Sequence, residues 1–272
     1  MSVCAEHDEE TALLTDAQRR EAAAALFAAE RDEAPIPPIT VTYPGADVED
    51  GYRIGQLVTE LKVAAGWMVK GHKVGLTSKA MREMAGATEP DYGTLFDRWF
   101  VPEGSTVPKD RMNRPLVEVE LAFVLADALP GPSTNAADVI RATDFVLPAL
   151  EIVDTRYSKR GTLVDSIADA AACGLVVLGG NPARLKDIDV RQVSASLAVN
   201  GEIEQSGVAR AVMGNPINAV AWLANKLHEF GVTMQPGHVV LSGSFIRAVP
   251  FAAGDTISAL FDELGEVTLT LQ

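Results

Sequence analysis

Cysteine is almost absent from this chain. Cys4 and Cys173 are the only two among 272 residues, one in a polar N-terminal tail and one in an apolar run, with no metal-type spacing. A disulfide between them is not expected, so the chain fits a reducing cytoplasm. Long apolar runs are missing too, and no stretch approaches the roughly 20 residues of a membrane span. Positive charge is scarce: 37 acidic against 23 basic residues leave a net charge of −14. That argues against nucleic acid or an anionic membrane as a partner. A small anionic substrate is still allowed, because a local cation overrides the global field. The N-terminus, Met1 to Glu10, is acidic and lacks an apolar h-region; it reads as disordered and not as a signal peptide. No GxGxxG, Walker A, HExxH, CxxC or GxSxG pattern occurs, which disfavours nucleotide enzymes, zinc enzymes and the common serine hydrolases. No internal repeat is visible.

What is present is apolar: 47% of the residues, enough for one large domain or a domain with an accessory segment. Thr15-Asp16-Ala17-Gln18 and the alanine-rich run to about Arg31 predict a helix, capped by Thr15 or Asp16. Pro35 to Pro38 break it, and Asp47 to about Val69 predicts a second helix. From Gly71 the pattern changes to strand-like runs at 117–125, 145–153, 174–178, 195–199, 238–243 and 266–271, separated by Gly, Pro and Asp clusters. Asn200-Gly201 signals a hairpin. One helix is expected over Pro216 to Glu229, with Val220, Leu223, Ala224 and Leu227 on one side. Strands outnumber helices and do not alternate with them regularly, so the expectation is an α+β fold with a curled sheet. Residues 1–70 would form a tail and helical accessory layer, and residues 71–272 the main domain.

Two glutamates stand inside one of the strand-like runs, Pro115 to Leu125. Side chains alternate across a strand, so Glu118 and Glu120 share a face, and Ala122 and Val124 continue it. Neighbouring half-buried carboxylates repel and lose hydration, at several kcal/mol each unless compensated. A divalent cation is one compensation; a sheet edge where they meet water or arginine is the other, and both readings stand at this point. Glu151 lies in a second such run, Phe145 to Asp154. Three glutamates could present oxygen ligands of the kind Mg²⁺ or Mn²⁺ prefers, or Glu151 could pair with Arg156.

Further along, Lys73 lies between Gly71 and Gly75, whose missing side chains let backbone approach a ligand. The lysine could face a substrate carboxylate or a developing oxyanion. It could equally be a solvated charge, and His72 a structural residue. Glu89 to Asp97 reads as a turn, with Asp91 as general base or turn former. Leu241-Ser242-Gly243-Ser244-Phe245 reads as a strand end and a small-residue bend whose amides and hydroxyls could hold a carboxylate.

Together these segments resemble the 2-keto-4-pentenoate hydratase family of the fumarylacetoacetate hydrolase superfamily. The resemblance rests on Gly71-His72-Lys73-Val74-Gly75-Leu76-Thr77-Ser78, Glu89-Pro90-Asp91-Tyr92-Gly93, residues 117–125, Pro148 to Asp154 and Val220 to Leu227, in order and spacing, over roughly residues 45–272. It implies a mixed β-roll of the superfamily's C-terminal-domain type, flanked by helices. It implies Mg²⁺ or Mn²⁺ on Glu118, Glu120 and Glu151, Lys73 and Asp91 as the acid/base pair, and His72, Leu95 and Ser244 as substrate-binding candidates. The implied reaction adds water to a 2-hydroxy-2,4-dienoate, giving a 4-hydroxy-2-oxo acid in the meta-cleavage degradation of aromatic compounds. A homo-oligomer, and association with a pathway aldolase or decarboxylase, belong to the same expectation. The alternatives are a 4-oxalocrotonate-type 2-oxo-3-enedioate decarboxylase, then an acylpyruvate hydrolase, and, from another class, a catalytically weak partner subunit. A second substrate carboxylate would need its own cationic pocket, for which Arg156, Lys159, Arg160 and Arg247 are candidates. One departure stands out. The family often reads Ala-Asp-Asn-Ala-Ser where this chain has Ala168-Asp169-Ala170-Ala171-Ala172.

Overall fold

The computed structural model describes residues 13–272; the expectations for residues 1–10 and for Cys4 lie outside them. Helix α1 (Asp16–Arg31) starts on a capping box in which Thr15 and Gln18 satisfy each other's backbone amides. A single turn, α2 (Ile39–Thr42), leads into α3 (Val48–Ala64), capped by Asp47. This second long helix ends before Val69, because the chain turns at Gly66 with φ +85° and residues from Val69 join a sheet. That strand is β1 (Val69–Gly75), followed by α4 (Lys79–Ala85) and β2 (Asp91–Phe96). The turn expected over Glu89 to Asp97 is therefore a strand. Tyr92, Thr94 and Phe96 are strand formers at alternate positions, and they pair along the whole of β1.

Two-residue strands β3 (Phe100–Val101) and β4 (Thr106–Val107) precede the long β5 (Leu116–Leu125), α5 (Ala136–Ala142) and the equally long β6 (Thr143–Val153). Then come α6 (Leu163–Ala168), β7 (Cys173–Leu178), and the hairpin β8 (Ser194–Val199) and β9 (Glu202–Val208). Asn200 and Gly201 turn that hairpin with φ of 52° and 86°, as their pairing signals. Helix α7 (Pro216–Glu229) has the bounds its periodicity predicts. The chain closes with β10 (Val239–Leu241), β11 (Val249–Pro250), β12 (Thr256–Phe261) and β13 (Gly265–Leu271).

An eight-stranded mixed sheet runs β2-β1-β10-β5-β6-β7-β3, with β11 also paired to β5, and a five-stranded sheet runs β4-β13-β12-β8-β9. One continuous core joins Val117, Val119, Leu121 and Phe123 of β5 to Leu197, Ile257 and Leu269 of the second sheet and to Leu223 and Leu227 of α7. The expected α+β roll is the observed one. The other face of the large sheet carries a smaller cluster that includes Leu95, Ala122, Ala149, Val176 and Leu241.

A separate apolar cluster holds α1 and α3 together with Tyr157 and Ala168. One polar device fastens this layer. Lys62 of α3 is 2% exposed, with Nζ 2.6 Å from Glu30 of α1 and 4.2 Å from the ring centre of Trp99. Burial lowers its pKa to about 8 against the pull of Glu30. No described helix is long and apolar enough to cross a membrane.

Candidate active site

Strands β5 and β6 run antiparallel, and their register sets Glu118 directly opposite Glu151. Glu120, two residues along β5, projects from the same face by strand alternation. Oxygen atoms of the three carboxylates lie within 4.8 Å of one another. A wet sheet edge is ruled out as their setting, because β5 is flanked by β6 on one side and by β10 and β11 on the other. Glu120 and Glu151 are buried and Glu118 half-buried. Nor does arginine answer Glu151. Arg156 instead donates from its backbone N–H to Asp169 Oδ2 at 2.9 Å and from Nη1 to the Cys173 carbonyl at 2.6 Å.

The cation that does reach the cluster is Lys73. In β1, Lys73 pairs with Gly93 of β2 and Leu241 of β10, and its Nζ lies 3.1 Å from Glu151 Oε1. Asp91 opens β2 opposite Gly75, on the same face. Gly75 is required there: a Cβ at that position would fall 2.1 Å from Asp91 Oδ1 and 3.4 Å from Lys73 Nζ. On β10's extension, the Gly243 N–H donates to Glu120 Oε2 at 2.7 Å.

The remaining polar capacity is unmet. Glu151 Oε2 and Asp91 Oδ1 are buried with no hydrogen-bond partner, and Glu151 Oε1 has only the Lys73 ion pair and no hydrogen bond. Burial, reinforced by Glu151, pushes the Glu118 pKa up to about 7 and that of Glu120 well above the carboxylate range. Burial likewise raises Asp91, against the pull of Lys73. For Lys73 burial works against the charge, but Glu151, Asp91 and Glu118 outweigh it and hold the ammonium. Three converging carboxylates, with the Glu151 oxygens lacking hydrogen bonds and no histidine or thiolate among them, form a donor set for a hard divalent cation.

The pH behaviour follows from these directions. Glu118 and Glu120 hold protons in the folded metal-free state that they would release when unfolded. That contribution to stability is complete below the ordinary carboxylate range; the Glu118 share is lost as pH rises through about 7, and the Glu120 share as pH rises through its own raised pKa. A cation competes with the same protons, so its affinity should rise between pH 6 and 8 and binding should release protons. Mg²⁺ titration calorimetry in two buffers of different ionisation enthalpy measures this. Equal heats in both buffers near pH 6.5 would contradict it.

The other sequence candidates are placed as follows. Leu95 lies opposite Gly71 on the Lys73 face and is fully buried. His72 alternates to the opposite face and is not brought to the glutamates. The Ser244 hydroxyl donates to the Val119 and Ile246 carbonyls, at 3.3 and 3.1 Å. Lys159, Arg160 and Arg247 are exposed.

Sequence reasoning missed the Gly243 amide on Glu120 and the backbone of the alanine segment. Ala170, Ala171 and Ala172 all have left-handed φ, 52°, 51° and 58°, which costs about 1–2 kcal/mol per non-glycine residue. The segment packs on β2 so closely that a Cβ on Gly93 would fall 2.0 Å from the Ala170 carbonyl oxygen. Asparagine would suit that backbone better than alanine; the alanine run was visible in the sequence and its conformation was not.

Comparison with known proteins gives a consistent picture. Residues 38–272 match the family described as fumarylacetoacetate (FAA) hydrolase C-terminal. The chain is 43% identical over 250 residues to the 2-oxo-hept-4-ene-1,7-dioate hydratase of Escherichia coli, covering 89% of this chain and 94% of that one. It is 35% identical over 255 residues to the 2-keto-4-pentenoate hydratase of Paraburkholderia xenovorans, covering 93% and 95%. Among solved structures, it is similar to 4-oxalocrotonate decarboxylase from Pseudomonas putida G7 complexed with magnesium and adipate. There the TM-score is 0.92 and the identity 33%, over 95% of this chain and 99% of that one.

Proposed function

Because the chain belongs to the fumarylacetoacetate hydrolase superfamily, and within it to the 2-keto-4-pentenoate hydratase family, we propose that it is a metal-dependent hydratase of a 2-hydroxy-2,4-dienoate. The observation that carries the reading is the convergence of Glu118, Glu120 and Glu151 with Lys73 and Asp91 on one sheet face. Glu118, Glu120 and Glu151 are the ligands, and Mg²⁺ or Mn²⁺ the ion, in keeping with a magnesium-bound relative of similar structure. When bound, such an ion supplies Lewis acidity toward the carboxylate and C2 oxygen of a 2-oxo acid.

The chain's own groups do the proton work. Ketonisation removes the C2 hydroxyl proton and places one at C5, leaving an α,β-unsaturated ketone; water then adds across C3=C4, its hydroxyl bonding to C4 and a proton to C3. Lys73, held as an ammonium, is the donor at C5 and regains its proton from the C2 hydroxyl; Asp91 takes a proton from the attacking water and returns it to C3. Leu95, on the same face, is the apolar contact for the substrate chain. The division into an accessory segment over residues 1–70 and a catalytic unit over 71–272 is part of this proposal, supported by the separate α1–α3 cluster.

A decarboxylase acting on a 2-oxo-3-enedioate is the second reading, favoured by the close structural likeness to 4-oxalocrotonate decarboxylase. The higher identity to a hydratase ranks it second. The test is an assay of the purified chain with Mg²⁺ on 2-hydroxypenta-2,4-dienoate. Loss of the dienoate absorbance with formation of a 4-hydroxy-2-oxo acid and no CO₂ is expected. Release of CO₂ from an enedioate, with no hydration, would move the chain to the decarboxylases. No turnover of either, with metal bound, would make it a partner subunit.

A further inference from the structure

The left-handed turn Ala170–Ala172 joins the two halves of the site. At one end, the Ala170 carbonyl packs on Gly93 of β2, which lies two residues from Asp91 and opposite Lys73 in the strand register. At the other end, Cys173 opens β7, which pairs with β6, the strand that carries Glu151. Non-glycine residues with positive φ persist only where their surroundings over-determine them, and they gather at functional sites. Three in succession need a fastening outside the turn.

Arg156 supplies it. Its Nη2 donates to the Asp169 carbonyl at 2.7 Å, its Nη1 to the Cys173 carbonyl at 2.6 Å, and its Nε to Asp169 Oδ1. Asp169 and Cys173 are the residues immediately before and after the turn. The Arg156 N–H at 2.9 Å and the Thr155 hydroxyl at 3.1 Å complete the Asp169 carboxylate through Oδ2. The guanidinium carbon lies 5.5 Å from the ring centre of Trp99, and the side chain is 11% exposed. A planar fork with donors in fixed directions spans two carbonyls and a carboxylate at once; a lysine ammonium, a single point of charge, does not. None of these hydrogen bonds goes to Glu118, Glu120, Glu151, Lys73 or Asp91, so an effect of Arg156 on the reaction passes through the turn.

We propose that Arg156 is a positioning residue for the reaction: by clamping both ends of the Ala170–Ala172 turn it fixes Gly93, and with it Lys73 and Asp91, relative to the strand that carries Glu151. The consequence for rate rests on the hydratase reading; the clamp itself does not. Misplacing a reacting group by about 1 Å costs about 10²-fold in rate. Loosening the turn therefore lowers kcat while the three glutamates, which Arg156 does not bond, keep their metal.

Arg156→Lys in the full-length protein, with saturating Mg²⁺, is the first test, because it keeps a charge opposite Asp169 and loses the fork. A wild-type circular dichroism spectrum, a kcat at least tenfold lower, and KM and Mg²⁺ affinity within about threefold of wild type are expected. Amide hydrogen exchange over residues 169–173, measured without substrate, should be at least tenfold faster. In Arg156→Ala kcat should fall further. Millimolar guanidinium, but not urea, should restore it at least fivefold, entering by the cavity of about 550 Å³ that Arg156 lines with Trp99 and Thr155. A folded Arg156→Lys with wild-type kcat overturns the proposal, as does a loss of rate that weaker Mg²⁺ binding accounts for, or a folded Arg156→Ala that guanidinium does not restore. Unchanged exchange over 169–173 overturns the clamp. Should Arg156→Ala fail to fold, Arg156→Lys decides alone. If the wild type turns over neither the dienoate nor an enedioate, the hydratase reading fails, and hydrogen exchange by itself decides the clamp.

Discussion

Replacing Glu120 with alanine is expected to abolish divalent-cation binding while leaving the fold intact. Glu120 is the member of the trio held by a backbone amide, with the Gly243 N–H on its Oε2. Hard cations of the Mg²⁺ class take six or more oxygens and hold few all-protein ligands, so losing one of three anionic donors removes a large share of the affinity. A decrease of at least 100-fold, beyond calorimetric detection at millimolar Mg²⁺, is the expected result. The fold should survive because the substitution has compensating effects. It opens a small void and orphans the Gly243 amide, at about 1–3 kcal/mol, but it also removes a buried acid that Glu118 and Glu151 repel. Circular dichroism and thermal melting without metal should be close to wild type. Unchanged Mg²⁺ affinity in a folded Glu120→Ala protein would sink the ligand assignment.

How much of this site was legible before the structure depended on range. Glu118 and Glu120 share a face because of a period of two, which is written locally. Glu151 stands in an equally apolar run, so its strand was legible, but its register opposite Glu118 arises from pairing between distant segments. The same limit hid the Lys73 and Asp91 geometry. Gly71 and Gly75 interrupt the apolar pattern of β1, and Pro90 and Gly93 make the start of β2 look like a turn. What makes both segments strands is their mutual pairing, together with Gly75 making room for the Asp91 carboxylate. The helices α1 and α7 were readable because caps and a 3.6-residue period act within one segment. Lys62 was not: its place reads as one more polar helix position, and only the tertiary fold surrounds it with Glu30, Trp99 and Phe96. The alanine segment is the extreme case, since three left-handed alanines run against local preference and are held by contacts with β2 and by hydrogen bonds from flanking residues.

Lys73→Met should separate catalysis from metal binding. Lys73 Nζ lies 3.1 Å from Glu151 Oε1, and the pair is almost wholly buried. In the metal-free protein, removing one partner of such a pair strands the other charge, at about 3–5 kcal/mol. The thermal midpoint without metal should therefore fall well below wild type. A divalent cation on the three glutamates neutralises the stranded Glu151, so saturating Mg²⁺ should restore most of the lost midpoint, a larger metal-induced gain than in the wild type. Activity should not return with it. A positioned proton donor contributes about 10²–10⁴ in rate, and methionine fills the volume without a proton to give. The expected outcome is a kcat lower by at least 10² with Mg²⁺ binding retained and the substrate KM changed by much less. If Lys73→Met kept near-wild-type kcat once metal was restored, Lys73 would be a counter-ion that folds the carboxylate cluster, and the proton donor would have to be sought elsewhere on that face.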